Sequence, residues 1–155
     1  MAFAVHHLGV DDVPLMDAMR AMFGAAFEDE ATYLGKPPSA DEARAWLARE
    51  GVIALAAVED GAVIGGLVAY VLPKFEQARS EIYLYDLAVD AAHRRRGVAT
   101  ALIRHLQAMA AERGAWVIFV QADQGDDAAI ALYTRLGTRE DVLHFDIAPR
   151  PRPSR

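Results

Sequence analysis

The sequence predicts an α/β (α+β) protein with one domain, in which a central mixed β-sheet is flanked by about four helices. Two β-branched-rich runs, 52–59 and 62–72, flank Asp60-Gly61, a strong signature of a hairpin closed by a two-residue turn. A strand pattern at 79–89 leads through a helical pattern at 97–113 into residues 115–122, a run too apolar for a surface strand. That succession reads as strand, crossover helix and parallel strand, with the last strand inside the sheet. At 155 residues, 54% of them hydrophobic and 25% charged, the chain suits a single core.

The remaining elements follow in order. Residues 3–8 suit a first strand, and Asp11, Asp12 and Pro14 suit the cap and first turn of a helix reaching about Phe27. Ser39 and Glu42 form a capping-box pattern before Trp46 and Leu47, with Gly51 as the stop, so two helices precede the hairpin. The helix at 97–113 presents Val98, Leu102, Leu106 and Met109 on one face and ends at Gly114. Residues 126–136 form a short amphipathic helix ended by Gly137, and 142–147 supply a last strand. The domain is placed at 1–149, and the Pro/Arg-rich tail, 150–155, is expected to be flexible. Trp46 and Trp116 read as core or helix-packing residues.

Composition narrows the chemistry. There is no cysteine, which removes disulfides, thiolate metal sites and cysteine nucleophiles. His6, His7, His105 and His144 lack metal-ligand spacing, so no metal is expected. No basic-then-apolar leader and no run near the ~20 residues of a bilayer span occurs, so the expectation is a cytoplasmic protein with no membrane partner. The formal net charge is −6, and Arg150, Arg152 and Arg155 of the tail mask a still more acidic body. Such a field disfavours nucleic acid and favours cationic ligands.

The most informative segment is Tyr85-Asp86-Leu87-Ala88-Val89 followed, three residues on, by His93-Arg94-Arg95-Arg96-Gly97-Val98-Ala99-Thr100. A strand feeds a basic, glycine-containing turn that opens a helix. Backbone N–H groups at a helix start are unpaired, and with the helix dipole they attract anions; small residues at 97 and 99 permit close approach. The alternative is an arginine run that is only a solvated surface. The turn matches neither the glycine-lysine phosphate loop nor the three-glycine dinucleotide fingerprint.

Arg94-x-x-Gly97-x-Ala99 resembles the coenzyme A-binding motif of the GNAT acetyltransferase superfamily. Leu87-Ala88-Val89 upstream and Ala131-Leu132-Tyr133-Thr-Arg-Leu136-Gly137 downstream resemble two further elements of that superfamily. Over residues 67–149 the sequence is similar to the aminoglycoside 3-N-acetyltransferases of the gentamicin-modifying type. The similar segments include Ala69-Tyr-Val-Leu-Pro-Lys-Phe-Glu76-Gln77, Arg79-Ser-Glu81-Ile-Tyr83, Val120-Gln-Ala-Asp123, Gly125-Asp126-Asp127 and His144-Phe-Asp-Ile147. Residues 1–50 match more loosely.

The resemblance implies an antibiotic-resistance enzyme that uses acetyl-coenzyme A as cosubstrate to acetylate the 3-amino group of an aminoglycoside. A homodimer is an expectation from resemblance. Leu87, Ala88 and Val89 would contact pantetheine where the central strand splays, with a backbone amide near Val89 polarising the thioester carbonyl. Arg94, Arg95, Arg96, Gly97, Val98, Ala99 and Thr100 would hold the diphosphate. Asp86, a carboxylate in an apolar strand, would take the amine's proton or bind the ammonium directly. Tyr133 either protonates the departing thiolate or packs on its helix. Glu81, Asp123, Asp126 and Asp127 would surround a polycation with carboxylates, although one of the pair 126/127 reads rather as a helix cap.

Overall fold

The computed structural model describes residues 2–152, so the end of the Pro/Arg tail lies outside the described residues. The chain forms two compact units, Met1–Gln121 and Ala122–Arg155. The first holds strand β1 (Ala4–His7), helices α1 (Val13–Ala26), α2 (Glu30–Leu34) and α3 (Ala40–Leu47), strands β2 (Val52–Glu59), β3 (Ala62–Pro73) and β4 (Ser80–Val89), helix α4 (Val98–Glu112) and strand β5 (Ala115–Val120). The sheet order is β1-β2-β3-β4-β5, antiparallel at each junction except β4–β5, which is parallel. The mixed sheet and the β4–α4–β5 crossover are those the sequence predicts.

Local chemistry explains the elements. Asp60 and Gly61 have φ of 49° and 81°, as the mirror-image turn demanded by the twist of a hairpin requires. Ser39 caps α3 with the full capping box: its hydroxyl accepts from Glu42 N–H and the Glu42 carboxylate accepts from Ser39 N–H. Pro14 occupies the first turn of α1, where a missing N–H costs nothing.

The sheet separates two layers. On one side Met19, Met22 and Phe23 of α1 and Leu47 of α3 pack with Ala54, Ala56, Val68 and Ala88. On the other, α4 buries Val98, Leu102 and Leu106, each of the leucines contributing about 1.5–3 kcal/mol by leaving water. A Cβ at Gly66 would lie 2.5 Å from Met19, whereas one at Gly65 would lie 2.7 Å from Val98, so successive β3 residues face α1 and α4 in turn.

The second unit contains α5 (Asp127–Leu136), capped by the Asp126 side chain, which accepts from Ala129 N–H at 3.2 Å. Gly137 follows it, as the sequence predicts.

Four expectations are corrected. Residues 142–147 form no strand: Phe145 and Ile147 are 75% and 91% exposed, and alternation alone makes no strand without a ladder partner for its N–H and C=O groups. Correspondingly, β5 is the edge of the sheet among the described residues rather than inside it. Trp116, at 56% exposure, is no core residue; the Arg79 guanidinium sits 4.0 Å over its ring and its indole N–H donates to Glu81 at 3.3 Å. Three helices precede the hairpin instead of two, because Asp29 accepts from Thr32 N–H and nucleates the five-residue α2.

Candidate active site

The geometry of β4 is decided by one extra residue. Val68 of β3 faces Asp86 and Ala69 faces Leu84, which leaves Tyr85 as the second residue of a bulge. Strict alternation would put Asp86 on the same face as the buried Ile82 and Leu84. The bulge turns it instead to the α1 side, opposite Val68 and in line with Ala88. An apolar strand thereby presents a carboxylate without burying it in the α4 layer.

Beyond the bulge β4 also parts from β5. Their ladder runs from Ser80↔Ala115 to Leu84↔Val120, and Tyr85 to Val89 have no β5 partner among the described residues. Asp90 N–H bonds Ile64 C=O at 2.9 Å, which makes 90/64 a hydrogen-bonded pair. The antiparallel alternation then makes Gly65↔Val89 and Leu67↔Leu87 non-bonded pairs, whose N–H and C=O groups point away from β3. Val89 and Leu87 therefore offer their backbone polar groups to the side that β5 has vacated, and the Arg94 side chain already uses the Val89 carbonyl, donating to it at 3.2 Å.

Residues 90–97 carry the chain from β4 into α4. A short 3₁₀ turn (Ala91–His93) is capped by Asp90, and the helix then starts at Gly97, which has φ of 79° and supplies no capping side chain. The amides of Val98, Ala99 and Thr100 thus open α4 without a side-chain cap, as an anion site requires. Nothing lies within 4 Å of where a Gly97 Cβ would be, so the space above the turn is open. Beside it lies a groove of about 370 Å³ bounded by Ala25, Ala26 and Glu28 at the end of α1 and by Asp90, Ala91 and Arg94.

Asp86 is half-buried and meets a partner that sequence reasoning missed: Tyr33 of α2 donates its hydroxyl to Asp86 Oδ1 at 2.7 Å. Burial pushes the Asp86 carboxyl above the ordinary aspartate range, and the Tyr33 bond pulls it partly back. The Tyr33 phenol is raised by burial, then by its bond to Asp86 and by the Asp86 charge. Phe23 of α1 and Phe27, the residue that caps its end, flank the Tyr33 ring, with centroids at 5.9 and 5.6 Å. Nothing in the spacing of residues 33 and 86 announces this pair; only the bulge and the docking of α2 bring them together.

On the same side an unbroken line of rings runs from Trp46 to Tyr70 (6.3 Å), Tyr85 (5.6 Å), Tyr83 (5.3 Å) and Phe119 (4.5 Å). Burial and then the Asp86 charge raise the Tyr70 phenol. A carboxylate beside aromatic faces is an arrangement that attracts ammonium groups. Glu81 is differently employed, paired with Lys74 at 3.1 Å and accepting from Trp116.

In the second unit, Tyr133 lies on α5 with its phenol pushed up to about 12 by burial and by the Asp126 charge, so it carries its proton at neutral pH. Asp126 is the cap of α5, Asp127 lies in its first turn, and Asp123 is exposed.

A splayed parallel junction, an uncapped helix start behind it and a carboxylate raised by burial form the layout of an acyl-transfer enzyme, and the profile of the acetyltransferase (GNAT) family matches residues 16–138. The chain belongs to that family. Among solved structures it is similar to an aminoglycoside acetyltransferase from an uncultured soil metagenomic sample, with TM-score 0.94 and 55% identity over 97% of this chain and 100% of the other. A second soil metagenomic aminoglycoside acetyltransferase, solved with sisomicin, has TM-score 0.87 and 28% identity over 96% of this chain and 97% of the other. The [ribosomal protein bS18]-alanine N-acetyltransferase of Escherichia coli K12 is 33% identical over 69 residues, 44% of this chain and 47% of its own length. Mouse probable N-acetyltransferase family 8 member 5 is 27% identical over 135 residues, 86% of this chain and 59% of its own length. The chain thus spans about half the length of these curated relatives.

Proposed function

We propose that this protein transfers an acetyl group from acetyl-coenzyme A to an amino group of an aminoglycoside, the 3-amino group of gentamicin-like compounds, and thereby confers resistance. The observation that carries the reading is Asp86: a half-buried carboxylate on the open end of β4, next to a row of aromatic rings, in an acidic protein. The 55% identity to an aminoglycoside acetyltransferase over nearly the whole chain supports the acceptor class.

In this reading the diphosphate lies on the amides that open α4, and Leu87, Ala88 and Val89 line the pantetheine path, with the Val89 N–H polarising the thioester carbonyl. The acceptor amine is largely protonated at neutral pH and gives a proton to Asp86. Its nitrogen lone pair then attacks the carbonyl carbon, the C–S bond breaks, and the second proton shed by the nitrogen ends on the departing thiolate. The products are an acetamide and free coenzyme A.

Coenzyme A release measured over a panel of purified aminoglycosides tests the proposal, and NMR of the product reads which nitrogen carries the acetyl group. Turnover on gentamicin with acetylation at the 3-amino group is expected. Acetylation elsewhere on the sugar would overturn the 3-position alone. Turnover confined to ribosomal protein bS18 would replace the aminoglycoside by the substrate in the bacterial relative's name.

A further inference from the structure

Among the described residues Glu59 is the one charged side chain that is buried, at 6% exposure. It ends β2, beside the Asp60-Gly61 turn and 37 positions before Arg96. A buried carboxylate is costly unless its oxygens are matched, and these are: Arg96 grips both, Nη1 donating to Oε2 at 3.0 Å and Nη2 to Oε1 at 2.6 Å. His93 adds to the cluster, with Nε2 3.7 Å from Glu59 Oε2 and Nδ1 2.7 Å from Asp90 Oδ2. Glu59 thus engages His93 and Arg96, two residues of the five-residue stretch 93–97 that leads into α4.

This stretch has reason to need an anchor. Arg95 adopts φ of 63° and Gly97 φ of 79°, two left-handed residues within three positions, and Arg95 lacks the freedom of glycine to hold that conformation cheaply. A fork of two parallel bonds fixes both the position and the plane of the Arg96 guanidinium, which a single contact does not.

We propose that Glu59 is a positioning residue for coenzyme binding: through the Arg96 fork and His93 it clamps the turn in the shape that presents the α4 amides, so that Arg96 serves the coenzyme as a tether and not as a phosphate ligand. The proposal rests on the reading of residues 94–100 as the diphosphate turn. It departs from that reading in taking one arginine of the basic run out of the anion-binding set.

Calorimetry with coenzyme A, steady-state kinetics and amide hydrogen exchange test it on Glu59→Gln, Arg96→Lys and the double variant. A tether predicts that each single change weakens coenzyme A about tenfold, with the acceptor KM unmoved, with kcat at saturating acetyl-coenzyme A unmoved, and with faster exchange at residues 95–99. It also predicts that the double variant is no worse than either single one, because both cut the same link. Arg96→Lys guards against misfolding of the Glu59 variant, since it keeps the charge on a side chain that is 32% exposed while removing the fork. If Arg96 instead binds phosphate, Glu59→Gln releases it and tightens coenzyme binding while Arg96→Lys retains most affinity, and either result overturns the proposal. Gly97→Val separates the two levels: coenzyme affinity unchanged by Gly97→Val removes the diphosphate turn itself, whereas a loss there with none in Glu59→Gln removes only the tether.

Discussion

In the proposed reading, the coenzyme half and the acceptor half of the site are built by opposite means. The coenzyme half is nearly continuous: Leu87 to Thr100 run from strand to turn to helix, and the groups they offer are mostly backbone amides whose direction follows from secondary structure. The acceptor half is assembled from four elements, with Tyr33 on α2, Trp46 on α3, Tyr70 on β3 and Asp86 on β4, and what it offers are side chains. Backbone chemistry leaves a motif in the sequence because it constrains neighbours; side-chain chemistry gathered from remote positions leaves none. The same contrast says which half can vary without loss of the fold, since ring contacts and a tyrosine bond can be exchanged singly whereas the start of α4 has to keep its geometry.

The largest expected effect is on the acceptor half. Asp86→Asn preserves shape and removes the proton acceptor, so kcat should fall by the ~10²–10⁴-fold typical of a lost general base, with coenzyme A affinity near wild type. A base works only when ionised, so activity falls on the acid side as pH drops through the Asp86 pKa. Because burial raises that pKa, the limb should lie above the ordinary aspartate range, and it should vanish in the Asn variant. If Asp86 only holds an ammonium, KM rises in place of the fall in kcat. An Asn variant with kcat and acceptor KM both intact would break the division into halves drawn above.

The second effect belongs to the coenzyme half. Gly97→Val places a β-branched side chain at φ of 79° and into the open space over the turn. Loss of one amide–phosphate bond, about 1.5–3 kcal/mol for a hydrogen bond to a charged group, weakens coenzyme A by about tenfold to a hundredfold. The left-handed backbone adds a cost of about 1–2 kcal/mol to folding, so the variant should also melt earlier. Gly97→Ala makes the smaller intrusion at the same φ, and comparing the two separates blocked approach from strain. Titration calorimetry and thermal unfolding read the two costs apart.

This division also tells how far the sequence could be read. The hairpin at Asp60-Gly61, the capping box of α3 and the crossover from β4 through α4 to β5 were legible because each is specified within a few residues. Asp86 was legible as a carboxylate in an apolar strand, but its face was not, since period-two alternation points it toward α4 and only the Tyr85 bulge reverses that. Tyr33 was invisible because α2 is five residues long and its partner is fifty-three positions away. The Arg96–Glu59 fork was not legible because the carboxylate lies on β2, thirty-seven positions away. The strand expected at 142–147 failed for the complementary reason: its alternation is a local property, whereas a strand exists only where another backbone meets it.

The smallest effect tests whether the two halves meet at Asp86 in the way the geometry implies. The Tyr33 hydroxyl donates to the ionised form of Asp86 and so lowers a pKa that burial has raised. Tyr33→Phe removes that donor while keeping the ring between Phe23 and Phe27, so the layer that carries α2 should survive. A bond worth about 1.4 kcal/mol to the carboxylate corresponds to about one pKa unit, and its loss moves Asp86 upward. The acid limb of kcat should therefore shift to higher pH by up to about one unit. Well above the limb, turnover should stay close to wild type, because Asp86 is ionised in both proteins. Coenzyme A affinity should not change, since the hydroxyl that is removed donates to Asp86. A limb that stays where it was would mean that the titrating group is not Asp86. A limb that moves together with coenzyme affinity would mean that the acceptor and coenzyme halves are coupled through α2, and the division would have to be redrawn.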